Sequence, residues 1–157
     1  MRAQPLYVVG GIDIGRVDDT PQHILNLEVD FQDGCRRKYI KAGSDISAFD
    51  FLKIGPGLAY KPTSAVAQPV EGVAEINIPA GKFGWVIVHG LAKAKLAAGV
   101  VAGDSVGSSA VAGTGAKLNA SASPSQAEVQ AALAAASGKG VTCVVDQTGG
   151  VGTVLLS

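Results

Sequence analysis

The chain is poor in the side chains that do most chemistry and most core packing. Aromatic residues are 5% of its 157 residues, with a single Trp, two His, two Cys and one Met. Charged residues are 17%, and thirteen basic against thirteen acidic groups leave no net charge. A nucleic-acid binder needs a positive field to displace counterions from phosphates. The one dense basic cluster, Arg36, Arg37, Lys38 and Lys41, is small and flanked by Asp30, Asp33 and Asp45. Direct nucleic-acid binding is therefore not expected. Cys35 and Cys143 match no CxxC pattern, so two separate thiols are expected unless the fold brings them together. Two His and two Cys, all singly and widely spaced, offer no paired metal ligands. Long apolar runs are missing too: MRAQPLYVVGG is broken by Gly10 and Gly11, too short for a secretory signal or a membrane span. The expectation is a chain with no cofactor, no metal and no membrane partner.

What the sequence has instead is small residues. Glycine (21 residues) and alanine together exceed a quarter of the chain, and the apolar fraction is 47%. Small side chains bury little area each, at about 25 cal/mol per Å², so stability per residue is modest unless another chain adds contact. Near-zero charge with high apolar content suits a surface that ends up covered.

Periodicity predicts strands. Residues 1–20 read as an N-terminal arm with one short strand, Leu6 to Val9, and residues 21–157 as a single β-rich domain. Ile24 to Phe31 alternates apolar and polar residues at period two. Asp33-Gly34 then makes a hairpin turn into Arg37 to Lys41. Ser47 to Ile54 is a further strand stopped by Gly55-Pro56-Gly57, and 58–69 reads as a surface loop. Val70 to Ile78 is a strand ended by Pro79, with a turn at Ala80-Gly81-Lys82. Phe83 to His89 is the strongest strand signal, with Phe83, Trp85, Ile87 and His89 on one face. Gly90 allows a bend or bulge, after which Ala92, Ala94 and Leu96 alternate with outward Lys93 and Lys95. Ser105 to Val111 is extended, and 112–125 is a low-complexity loop. Ser123-Pro124-Ser125-Gln126 is a good helix start for 126–136, although an Ala-rich segment also fits a strand. Val141 to Asp146 and Gly152 to Leu156 close the chain. The pattern gives an all-β fold, a small barrel or sandwich of short strands with an extended arm and room for one short C-terminal helix.

Catalytic readings fail on residue type and order. GDSVG, Gly103 to Gly107, has the spacing of a nucleophile elbow, but no His follows Ser105, since the chain's two are His23 and His89. Glu71 and Glu75, four apart on a strand, would sit about 13 Å apart, too far for paired-carboxylate chemistry; solvated charge is the simpler reading. The glycine-rich stretches at 55–57, 113–117 and 149–153 match no phosphate-binding spacing. Binding remains. Trp85 is expected in the core, and His89 as a residue finishing the Trp85 face or hydrogen-bonding across an interface.

Three segments carry a family likeness: GCRRKYIKAGSDISAFDFLKI (34–54), VEGVAEINIPAGKFGWVIVHGLAKAKLAAGVVAGDSVGSSAVAGT (70–114) and GGVGTVLL (149–156). They resemble the head decoration, or cement, proteins of tailed bacteriophages, over roughly half to two-thirds of the chain and most specifically in 81–107. The resemblance implies a virion structural protein rather than an enzyme. It would lie on the outer surface of the icosahedral capsid after assembly in the host cytoplasm. There, as a homotrimer, it would bind the major capsid protein and brace the shell against DNA pressure. Gly81, Phe83, Gly84, Trp85, Val86, Gly90, Gly103 and Asp104 match as fold-forming positions. The expected interface residues are Leu6, Tyr7, Val8 and Val9 of the arm, with His89, Ala92 and Ala94. The 112–125 loop and the segment after Pro124 depart from the family pattern. The alternative is a β-rich adhesin or head-fibre base module binding cell-surface glycans.

Overall fold

A computed structural model describes residues 12–56, 58–61, 69–118 and 140–157. All of the regular structure in these residues is β. The ten strands are β1 (Glu28–Asp30), β2 (Arg36–Ala42), β3 (Phe51–Ile54), β4 (Leu58–Tyr60), β5 (Gly72–Ala74), β6 (Phe83–Lys95), β7 (Ser105–Ser108), β8 (Gly115–Lys117), β9 (Val141–Thr148) and β10 (Val151–Leu156).

Five of them close into a barrel in the order β2-β4-β3-β5-β6, because β6 also pairs antiparallel with β2. Its interior is small and aliphatic: Ile40, Ala42, Leu52, Ala59, Ala74 and Val86 meet there, with Ile46 and Ile78 from the flanking turns. Closure hides the backbone edges that an open sheet of this size would expose.

The outer side of the barrel is covered twice. Over β2 and β6, the segment 12–27 lies on Tyr39, Phe83 and Trp85, with Val29 and Phe31 beside them. Over β3, β5 and β6, a second sheet lies on Phe51, Val73 and Ile87 through Ala92, Ala94, Leu96, Val106, Val141, Cys143, Val154 and Leu156. That sheet runs β6-β10-β9-β7-β8, and a bridge from Leu96 to Gly115 brings its far end back to β6.

Strand β6 belongs to both halves. Phe83 to His89 pairs with β2, and Gly90 to Lys95 pairs with β10. The change of partner falls at Gly90, whose φ of +108° suits glycine and whose missing Cβ leaves room for Cys35: an added Cβ would stand 3.0 Å from its Sγ and 3.1 Å from its Cα. The expected bend is therefore a corner within one continuous strand.

Several elements differ from the periodicity reading. The first strand is only β1, because Asn26 takes φ +66° and breaks the run that starts at Ile24. Ser47 to Asp50 is a turn, with Phe49 at φ +72°, so β3 starts at Phe51. The expected 70–78 strand shrinks to β5. Ile78 instead bridges to Ile46, and Asn77 Oδ1 accepts from the Ala48 amide. Two strands lie in stretches read as loops. Ala59 of β4 is buried between exposed Leu58 and Tyr60, too few residues to display a period. β8 starts at Gly115 because a Cβ there would stand 2.5 Å from Phe51 and Val106. The proposed helix at 126–136 and the arm strand at Leu6 to Val9 lie outside the described residues.

Candidate functional site

Three buried polar centres organise the fold. Arg37, one of the basic cluster, is 2% exposed. Its guanidinium donates to both oxygens of Glu75 (2.7 and 2.9 Å) and of Asp33 (2.7 and 3.2 Å), and it lies over the Phe31 ring. Burial opposes its charge, but the two carboxylates hold it firmly protonated, and Arg37 in turn holds the Asp33 carboxyl below its usual range. Glu75 is therefore not a freely solvated charge. The rest of the basic cluster is dispersed: Arg36 pairs with Asp30, Lys38 with Glu28, and Lys41 lies over the Phe83 ring.

The second centre ties segment 12–27 to the barrel. Tyr39 Oη donates to Asp18 Oδ2 at 2.6 Å and accepts from the Gln22 amide at 3.1 Å. Asp18 also exchanges two backbone hydrogen bonds with Phe83. Burial, then the Asp18 hydrogen bond, push the Tyr39 phenol up to about 12. His23 lies against Tyr39 and Trp85, with ring centroids 5.0 and 5.2 Å apart. Residues 12–20, grouped with the arm by sequence, thus pack on the barrel.

The third centre joins the two halves. Asp50 is fully buried. Its Oδ1 accepts from Lys95 Nζ at 2.6 Å, its Oδ2 accepts from the Ser47 amide at 2.7 Å, and Lys61 Nζ stands 3.9 Å away. Beside it, the Phe51 amide donates to the Gly113 carbonyl, and the Lys95 amide to the Phe49 carbonyl. Lys95 was expected on the solvent face; half-buried, it reaches back to the barrel.

Between the halves lies a cleft of about 590 Å³. Ile54, Val70, Val88, Val106, Val141 and Leu156 line its apolar part, and Glu28, Arg36, Lys38, Glu71, His89 and Ser157 its polar part. Arg36 and Lys38 are already neutralised within the chain.

The fold-forming positions sit where the fold is tightest. Gly81 turns at φ +80° into β6. Phe83, Trp85 and Val86 are buried, and a Cβ on Gly84 would come within 2.8 Å of Ile78. Gly103 turns at φ +96°, and Asp104 caps that turn by accepting from the Val101 amide at 2.9 Å and pairing with Lys117 at 3.0 Å. Hydrogen bonds from Val101 and Lys117 lower the Asp104 carboxyl. Ser105 opens β7, which pairs with β8 and β9, so the GDSVG turn feeds a strand and not the helix an elbow requires. Among the described residues, no three His, Cys, Asp or Glu gather in a way that could hold a metal ion. Cys35 and Cys143 are free and buried, and burial raises both thiols.

Of the expected interface residues, Leu6, Tyr7, Val8 and Val9 lie outside the described residues, and the other three do not share an exposed surface. His89 is exposed and lines the cleft; His23, not His89, covers Trp85. Ala92 and Ala94 are buried in the core of a single copy. The exposed apolar residues on that part of the chain are Leu91, Val144, Val145 and Leu155. The alternation LAKA, Leu91 to Ala94, contained the signal, with small residues inward and large ones outward.

No protein-family model matches the chain, and no curated protein matches its sequence. None of the described residues forms a helix long and apolar enough to cross a membrane.

Proposed function

We propose that this chain is a head decoration protein of a tailed bacteriophage. It lies on the outer surface of the capsid as a homotrimer and cements neighbouring major capsid proteins against the pressure of packaged DNA. The observation that carries the reading is that the most phage-like block, residues 81–107, is the structural spine: β6 and the turns at each end of it, common to barrel and second sheet. The exposed aliphatic residues of the second sheet support the same reading, since such a surface works by being covered. Each contact with the shell need only be moderate, because a trimer that has bound one subunit meets the next at high effective concentration.

Purified protein mixed with expanded, undecorated heads is expected to bind at a fixed copy number and to raise the temperature at which the heads release DNA. Absence of sedimentation with the heads overturns the reading. A truncation before Ile12 keeps the whole of segment 12–27 in the chain, so it tests the arm separately. Cutting at residue 20 would also remove Asp18 from Tyr39.

A further inference from the structure

The segment that covers the aromatic side of the barrel is held at few points. Between Ile12 and Leu25 it contains no strand, and Asp18 is its one buried residue. Beneath it lie large rings: Tyr39, Trp85 and Phe83 are 0%, 1% and 8% exposed. Ile12, Ile14, His23 and Leu25 lie on those rings, each still partly open to solvent. A thin cover thus hides the aromatic surface of this half. The barrel does not need that cover to close, because its ladder runs β2-β4-β3-β5-β6 and back to β2 without any residue of 12–25.

The attachments gather at two places. At the first, Asp18 exchanges backbone hydrogen bonds with Phe83 at 2.9 and 3.0 Å, and its Oδ2 accepts from Tyr39 Oη at 2.6 Å. The same Tyr39 hydroxyl accepts from the Gln22 amide. At the second, the Asn26 amide donates to the Tyr39 carbonyl at 2.7 Å and the Tyr39 amide to the Leu27 carbonyl at 2.9 Å, just before β1. Asn26 sits at φ +66°, so the backbone already turns there. The ion pair of Lys82 with Asp19, 41% and 83% exposed, adds little. Segments with few buried residues and few hydrogen bonds to the rest of a fold open before the whole molecule unfolds.

We propose that residues 12–25 form a strap that opens as one unit about Asn26, with Asp18 as its latch. Opening breaks the contacts of Asp18 with the barrel together, since they all meet on Tyr39 and Phe83. It bares the ring face while the barrel and the second sheet stay paired. Residues 1–11 join the strap at Ile12, with no strand between Ile12 and Asp18. A load on the arm therefore reaches this latch before it reaches any strand of the barrel. The device belongs to the single chain and is independent of the capsid reading.

Native-state hydrogen exchange of the full chain, followed against denaturant, tests the strap. The amides of Asp18, Gln22 and Phe83 all bond across the opening and are expected to share one protection factor. That opening exposes little surface, so it should depend less on denaturant than exchange of the Cys143 and Ala74 amides, which lie in the second sheet and the barrel. Val154→Ala, in the core of the second sheet, is expected to speed Cys143 and Ala74 about tenfold or more and to leave the three strap amides unchanged, because it weakens the closed and open forms alike. Asp18→Ala is expected to speed the three strap amides about tenfold. Strap amides that follow the denaturant dependence of Cys143, or that speed up with it in Val154→Ala, overturn the proposal. Strap amides indifferent to Asp18→Ala overturn the latch. Should Asp18→Ala fail to fold, the wild-type and Val154→Ala curves still decide whether the strap opens by itself.

Discussion

Every Phe, Tyr and Trp of the chain lies at or before Trp85, whereas Val86 to Ser157 has none. The barrel and its covering segment are built on large rings, Tyr39, Phe83 and Trp85 among them, and on charges satisfied internally, such as Arg37 with Asp33 and Glu75. The second sheet packs Ala, Val, Leu and Cys on the barrel and leaves Leu91, Val145 and Leu155 outside. Each small side chain buries little, so this half gains stability by lying on the barrel. The difference teaches where to look for function. The barrel half satisfies its rings and charges internally, and the second sheet is the half that leaves large aliphatics outside.

The comparison breaks most sharply at Trp85. Replacing it by Ala should cost about 3–5 kcal/mol in denaturant unfolding; a loss below about 1 kcal/mol would show that the rings are not the main support of the barrel half. Next is Gly90→Ala, expected to cost about 2–3 kcal/mol from its positive φ and the contact with Cys35. Because β6 is shared, fluorescence of Trp85 and far-ultraviolet dichroism should report one transition in that variant; two separated transitions would mean that the halves fold independently. Asp50→Ala should cost about 2 kcal/mol, kept below the full price of a buried pair because Lys95 can turn to solvent. Its distinguishing mark is faster amide exchange around Gly113, with Trp85 still shielded.

Tyr39→Phe is smaller, about 1 kcal/mol near neutral pH, and carries a pH signature. The folded phenol titrates at about 12, above its ordinary value of 10, so the proton is held more tightly in the folded state. The stabilisation is complete below pH 10 and is lost as the pH rises through 12. Wild-type stability should fall more steeply than that of the Phe variant across this window, and parallel curves would refute the assignment. Smallest of all is Leu91→Ser, within about 0.5 kcal/mol for the isolated chain, since its side chain touches mostly solvent.

The all-β class was legible because long strands alternate visibly. β2, the first half of β6, β9 and β10 all stand where the period-two runs placed them. Glycine marked turns well at Gly34, Gly81 and Gly103, where positive φ is required. What escaped was set by tertiary contacts. β4 is three residues long, and β8 depends on glycine for close approach rather than on branched side chains. SAFDFLKI alternates like a strand from Ser47, yet Phe49 turns and Asp50 is drawn inward by Lys95, 45 positions away. Glu75 looked solvated because its partner Arg37 is 38 positions earlier. Ala92 and Ala94 suggested close approach between copies, but the same smallness lets them pack against the barrel of their own copy.

The corner at Gly90 also makes β6 a ruler. Residues before it are counted against β2 and those after it against β10, with no loop between to absorb an error. One inserted residue near the corner would invert the phase of everything beyond it, driving Leu91 and Lys93 toward the barrel and lifting Ala92 and Ala94 out. Length changes in this chain are therefore expected to be tolerated at the outlying turns, such as Gly149-Gly150, and to be lethal to folding between His89 and Leu91.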